Sequence, residues 1–167
     1  PAAELPAVAV ALGAEMEILG GGGLRVEPAE SFFVSMFATT LEEDELLAAV
    51  RFPRARRGEG SAVLEVSRRP GDFAMAGMAV RLMQEHGQCT EAHVVPFGVG
   101  DAPRRLTAVE ERLVGSHLND LDLAEAAELA AAGVEPQDDV HATAGYRRRA
   151  VAVLCRRALQ SARARAA

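Results

Sequence analysis

Six consecutive residues, Arg68-Arg69-Pro70-Gly71-Asp72-Phe73, bring two guanidiniums, a carboxylate and an aromatic ring into one short stretch. Pro presets φ near the value a turn needs at its second position, and Gly accepts the positive φ that a type II turn needs at its third. Asp72 supplies a carboxylate that can accept from nearby backbone N–H groups. A binding tip and a solvated hairpin tip both fit this pattern. On spacing alone the solvated tip is the simpler reading, since most turns carry no chemistry.

Other chemistry-bearing residues are sparser. Gly20 to Gly23 is a four-glycine run, but it lies between two apolar strand-like segments. No helix and no Lys-Ser/Thr follow it, so its N–H groups lack the geometry of a phosphate cradle. Gly98 and Gly100 precede a Pro and read as a loop, because a dinucleotide fingerprint needs a helix directly after the glycines. Cys89 and Cys155 stand alone, too few for an iron–sulfur cluster or a zinc knuckle, and read as reduced thiols. His86, His93, His117 and His141 are scattered, so no metal site is expected, and His141 near Asp139 reads as a helix-entry contact. No Ser-His-Asp constellation and no paired catalytic carboxylates are evident, so no catalytic residue is assigned. Arg147, Arg148 and Arg149 oppose the dipole of the helix they open. They read as a solvated face offset by Asp138 and Asp139, or else as a contact for acidic groups on a partner.

The elements that position these residues follow from pattern. Apolar residues make up 49% of 167, and the net charge is -6, which describes a globular chain and argues against a nucleic-acid binder. Every basic residue is Arg. No apolar run reaches membrane-spanning length and no signal-peptide pattern is present, which points to the cytoplasm. The chain begins at Pro1 rather than Met, which leaves room for residues upstream.

Ala2–Leu12 predicts a short helix. Glu15–Leu19 and Leu24–Val26 predict a hairpin, Pro28–Phe33 a helical turn, Leu41–Leu46 a solvated acidic bend, and Leu46–Phe52 a strand. The polar connector 54–60 marks a composition shift, and the predicted division is 1–57 and 58–167. Val63–Ser67 and Phe73–Gln84 predict the two strands around the central turn, with Ala92–Val99 as the third. Thr107 is the predicted cap of Ala108–Val114, Asp120 or Asp122 of Leu123–Ala132, and Thr143 of a long last helix. In that helix Val151, Leu154, Cys155, Ala158 and Leu159 form one apolar stripe. Three strands then three helices predict an α+β module with helices on one sheet face.

EVSRRPGDFAMAG resembles the "EVARR-x-GDFAL-x-G" segment of the flavin-carrying medium subunit of molybdenum hydroxylases, the family of carbon monoxide dehydrogenase and bacterial xanthine dehydrogenases. Further segments resemble it in order. Pro1–Leu12 is similar to the stretch after the family's second glycine motif. FFVSMFATTLEEDELLAAVRFP (32–53), the GVG-containing loop and helix of 97–115, and VHATAGYRRRAVAVLCRRAL (140–159) resemble later pieces.

The resemblance implies the end of an FAD-binding domain followed by a flavoprotein C-terminal domain. It implies electron passage from iron–sulfur clusters through FAD to an external acceptor. The molybdenum cofactor would sit on a large partner subunit and the clusters on a small one. Leu47, by its backbone, and Phe73, by its ring, match residues beside the isoalloxazine. Asp72 matches the turn acid that sets Phe73's approach, and Glu65 a position that is Lys in some members. A carboxylate there cannot stabilise a reduced, anionic flavin, which leaves Arg68 and Arg69 as the positive charge. The family's two double-glycine pyrophosphate motifs are absent from the sequence. The resemblance thus implies the back portion of the subunit, inactive on its own. The alternative is a docking module that does not hold FAD by itself.

Overall fold

The computed structural model describes residues 2–166. The first segment folds as α1 (Glu4–Leu12), β1 (Glu15–Gly20), β2 (Gly23–Pro28), α2 (Ala29–Phe32), β3 (Phe33–Ser35), β4 (Ala38–Thr39) and β5 (Leu46–Arg51). Pro6 lies in the first turn of α1, where its missing N–H has no intrahelical acceptor to lose. β1 is central in an antiparallel sheet of order β2-β1-β5, and β3 and β4 form a separate small hairpin. Met16 and Ile18 point from β1 into a core shared with α1 and Phe32.

The second segment is β6 (Glu59–Val66), β7 (Ala76–Glu85), β8 (Gln88–Phe97), α3 (Thr107–Leu113), α4 (Asp120–Ala132) and α5 (Ala144–Ala166). The sheet is antiparallel with β7 in the middle. The three strands and three helices are those predicted. Ala76, Met78, Val80 and Leu82 face a core closed by α5, α4 and α3, and the whole predicted stripe of α5 is buried there. The opposite face of the sheet is covered as well: Ala79, Val95 and Phe97 pack with Ala7, Val10 and Ala11 of α1. The three predicted helices thus share one face, as expected, while α1, arriving from the first segment, covers the other. Gly77 pairs directly with Phe97, and a side chain at Gly77 would meet the Phe97 ring at 2.1 Å. The missing Cβ lets that ring lie across the strand.

Local details correct several expectations. β7 begins at Ala76 rather than Phe73, since the turn runs longer than its Pro-Gly centre suggests. β8 spans Gln88–Phe97. It is an edge strand, which tolerates Pro96. Its edge is closed by the loop and helix that follow: Leu106 N–H donates to Val94 O (2.9 Å), and Val94 N–H donates to the buried carboxylate of Glu110 (2.8 Å). This anchors Leu106 as the N-cap of α3, with no side-chain cap, and makes Thr107 the first helical residue instead of the cap. For α4 the cap, ahead of both expected residues Asp120 and Asp122, is Asn119. Its side chain accepts from Leu121 N–H and Asp122 N–H, while the Asp122 carboxylate accepts from Asn119 N–H. Thr143 Oγ1 accepts from Tyr146 N–H at the start of α5, as predicted.

Asn119→Ala is expected to lower stability by about 1 kcal/mol, read from denaturant midpoints at unchanged slope. Burial pushes the thiols of Cys89 and Cys155 up to about 11 and about 12. Both are expected to resist a thiol reagent near pH 8 in the native protein and to react fully once unfolded. Rapid native labelling of either would contradict this packing.

Candidate functional site

The β6–β7 connection, residues 67–75, is a built turn. Gly71 adopts φ 89°, the positive value expected of it. Asp72 N–H donates to Arg69 O (3.1 Å), and the Arg69 guanidinium pairs with the Asp72 carboxylate (3.1 Å). Ser67 Oγ donates to Arg69 O (3.1 Å). Ala74 is buried in the α1-side core, and Met75 N–H donates to Val66 O (2.9 Å), which closes the loop. Phe73 sits between these fixed points and is 75% exposed. The turn thus presents its ring outward while its base is pinned.

The base is held from a direction the sequence reading missed. Arg147 is buried, 6% exposed, and is not part of a solvated face. Its Nη1 donates to the carbonyls of Met75 and Gly98 (2.9 Å for Gly98), and its Nη2 pairs with Asp139 (2.6 Å). Its Nε is buried with no hydrogen-bond partner. The available signal was the pairing of Asp138-Asp139 with an Arg at a helix start. Nothing local foretold the two carbonyls, which come from distant strand ends. Asp139 also accepts from the N–H groups of His141 (2.8 Å) and Ala142 (2.9 Å), so His141 does form the helix-entry contact. Those backbone bonds first, and Arg147 after them, hold the Asp139 carboxyl down at about 2. His141 Nδ1 lies 3.4 Å from Arg68 Nη1, which brings the 138–142 loop against the turn. Arg has no acceptor, so Nδ1 carries the lone pair in that contact.

Asp72 and Phe73 lie together in the turn. Glu65 lies on β6 and pairs across the ladder with Gly77. Its side chain is exposed, and partial desolvation, then the negative charge of Glu4 on α1, raises its carboxyl above the ordinary value, so its surroundings are acidic. Leu47 is on β5 opposite Ile18, in the other sheet. No hydrogen bond or ion pair joins Leu47 or Glu65 to the turn among the described residues.

The four-glycine run forms the β1–β2 turn, closed by the Gly20–Gly23 pair. Asp44 and Glu45 line the recess beside it. Arg25 grips Glu45 (2.7 Å) and, with the Glu42 N–H, holds its carboxyl at about 2, so Glu45 is a structural anchor rather than part of a solvated bend. Such carboxylates repel a phosphate. A larger cleft of about 300 Å³ lies between α1 and β6, bordered by Val8, Leu12, Val63 and Arg165, and includes none of the predicted site residues. Among the described residues no three His, Cys, Asp or Glu side chains cluster as metal ligands do.

Comparison with known proteins defines the class. Residues 61–162 match the family model of the CO dehydrogenase flavoprotein C-terminal domain, and residues 1–55 that of the FAD binding domain in molybdopterin dehydrogenase. The fold and the two matches define a flavoprotein of the molybdenum hydroxylases. The chain belongs to the CO dehydrogenase medium chain family and corresponds to the C-terminal part of that FAD-binding subunit. It is 36% identical to the 6-hydroxypseudooxynicotine dehydrogenase complex subunit alpha of Paenarthrobacter nicotinovorans, over 99% of this chain and 56% of the relative. It is 34% identical to the carbon monoxide dehydrogenase medium chain of Afipia carboxidovorans, over 99% of this chain and 58% of the relative. A solved carbon monoxide dehydrogenase from Hydrogenophaga pseudoflava superposes with a TM-score of 0.95 at 32% identity, covering 98% of this chain and 57% of that one. The chain therefore spans somewhat over half the length of the relatives it matches.

The exposed Phe73 ring offers a flat apolar face on which a planar ring system such as a flavin can stack. The acidic recess at the glycine turn does not suit a pyrophosphate. The Asp139 carboxylate contributes to the loop above its ordinary value of 3.8 and is lost as pH falls through about 2, because its folded-state value is depressed. The protection factor of the Ala142 amide is expected to fall across that acid range. Protection that does not vary there would remove Asp139 as the loop's anchor.

Proposed function

We propose that this chain is the flavin-ring end of a molybdenum hydroxylase medium subunit. Electrons would pass from iron–sulfur clusters on a small subunit through FAD to an external acceptor, while a large molybdenum subunit oxidises the substrate. The observation that carries this reading is the Phe73 turn, rigid at its base with an outward ring that no core residue claims. The flavin, when bound, supplies the redox chemistry itself, and the protein supplies position and electrostatics. Phe73 would pack on the ring system and keep water from that face. Asp72 holds the Arg69 guanidinium in the turn, and so fixes the approach of Phe73. Arg68 and Arg69 favour negative charge near the tip. The Leu47 backbone is assigned to the same ring, and Glu65 to its surroundings. The domain border is proposed at residues 57–58.

A second reading is favoured by the acidic glycine turn: the chain alone serves as a docking module that does not retain FAD. The open apolar residues Leu19, Leu24, Val26 and Leu46 on the β2-β1-β5 sheet suit a piece that works inside a larger subunit. No helix among the described residues is long and apolar enough to cross a membrane.

The purified chain mixed with FAD is expected to come off a desalting column colourless. Joined to the preceding part of the Hydrogenophaga medium chain, it is expected to stay yellow, and Phe73→Ala in that fusion is expected to change flavin fluorescence. Unchanged fluorescence would end the assignment of Phe73.

A further inference from the structure

We propose that Arg147 is the positioning residue for the Phe73 turn, so that the start of α5 sets where the ring points. This rests on the flavin-facing reading above for its functional meaning, but not for its mechanics.

Met75 is two residues after Phe73 and is held on both sides of its peptide. Its N–H is bonded to Val66 of β6, and its carbonyl is bonded to Arg147 of α5. The same Nη1 reaches Gly98 O, just past the end of β8. Gly77 and Phe97 are the last pair of the β7–β8 ladder, so Met75 and Gly98 lie just beyond its end, close together. One guanidinium nitrogen reaches both carbonyls there while the other meets Asp139, a planar fork that an ammonium point charge does not reproduce. Asp139 fixes the far side of the fork and neutralises a charge that otherwise opposes the α5 dipole. Asp138 accepts from Ala144 N–H (2.5 Å), so the loop before α5 is itself tied to the helix. The Arg68–His141 contact gives this loop a second touch on the turn.

A buried guanidinium held by two carbonyls and a carboxylate is a costly feature for packing alone. A purely structural tie between α5 and the sheet was already available from the apolar stripe of Val151, Leu154, Ala158 and Leu159. Arg147 adds something that stripe does not: a fixed direction for the chain as it leaves the turn.

Amide exchange of the full chain tests the mechanics without flavin. Arg147→Met is expected to speed exchange across residues 67–75 by about tenfold to a hundredfold, as the loss of charge-assisted bonds implies. Amides of Val151–Leu159 are expected to keep their protection. Arg147→Lys is expected to fall between, and Asp139→Asn to loosen the turn less than Arg147→Met. If the core amides accelerate together with the turn in both Arg147 variants and in Asp139→Asn, the residue is merely structural and the proposal falls. It also falls if exchange in the turn does not change.

In the assembled flavoprotein, Arg147→Met is expected to shift flavin fluorescence in the same sense as Phe73→Ala. The double variant is expected to go no further than Phe73→Ala alone, because both act through one ring. Additive effects would overturn the coupling. If Phe73→Ala leaves the flavin signal unaltered while exchange in the turn still responds to Arg147, the flavin-facing reading fails and the hold on the turn stands.

Discussion

β7 is a strand with no solvent face. From Ala76 to Met83 every residue is buried, and this constraint organises the rest of the chain. One side carries the larger Met78, Val80 and Leu82 toward α5, and the other carries Gly77 and Ala79 toward α1 and Phe97. A strand of this kind needs two covers. The last helix supplies one, and the opening helix, more than sixty residues earlier in sequence, supplies the other. The cofactor-family boundary between the two matched regions therefore does not coincide with a boundary between cores. Ala74, Ala79, Val95 and Phe97 of the second region share a cluster with Ala7, Val10 and Ile18 of the first.

Burial on both faces leaves little room for charge, and each exception is paired. Arg81 is buried on β7 and is met by Glu91 (2.8 Å) and Glu59 (3.5 Å), which Arg56 also bridges. Breaking such a pair would strand a charge in the interior, which costs far more than an exposed pair contributes. Glu110 plays the matching role at the β8 edge, bonding Val94 N–H and the Arg105 guanidinium (2.6 Å). His93 joins the regions through a bond between Nδ1 and Ala11 O (2.8 Å). Burial, then the charges of Arg105 and Arg81, push its pKa down, which favours the neutral ring with Nδ1 as donor. Arg104 reaches Val34 O (3.0 Å), and Arg105 also faces Glu30 (3.5 Å). The seam between the two regions thus has an apolar centre, where α1 meets Ala79, Val95 and Phe97, and an ionic rim.

The outward face of the molecule follows a different logic. Phe73 protrudes from a pinned turn, and Phe37 protrudes at the tip of the β3–β4 hairpin with φ 59°, 96% exposed. A bulky residue in that backbone region is uncommon, and an aromatic ring left in water contributes nothing to the core. Scaffold and presentation are therefore separate: the sheet and helices are closed and satisfied, while the exposed rings sit on loops that the scaffold holds.

The sequence alone missed the short β3–β4 hairpin but specified most of the element order, the β1–β2 hairpin, the three-stranded meander, the α5 stripe, the Pro-Gly turn and the family. These follow from periodicity, from φ preferences and from motifs, all of which act over a few neighbouring residues. It also located the turn that carries Asp72 and Phe73. It placed two helix caps too late, Thr107 for Leu106 and Asp120 or Asp122 for Asn119, because the Asn119 box and the Leu106–Val94 bond compete with equally plausible neighbours. Three-dimensional packing alone settles that Arg147 is buried, that Glu45 is an anchor, and that α1 covers the second sheet. An Arg in a run of three looks solvated until two carbonyls from separate strand ends converge on it. No pattern along one chain records which distant backbone groups are left without a partner, since that depends on how sheets and helices close in three dimensions.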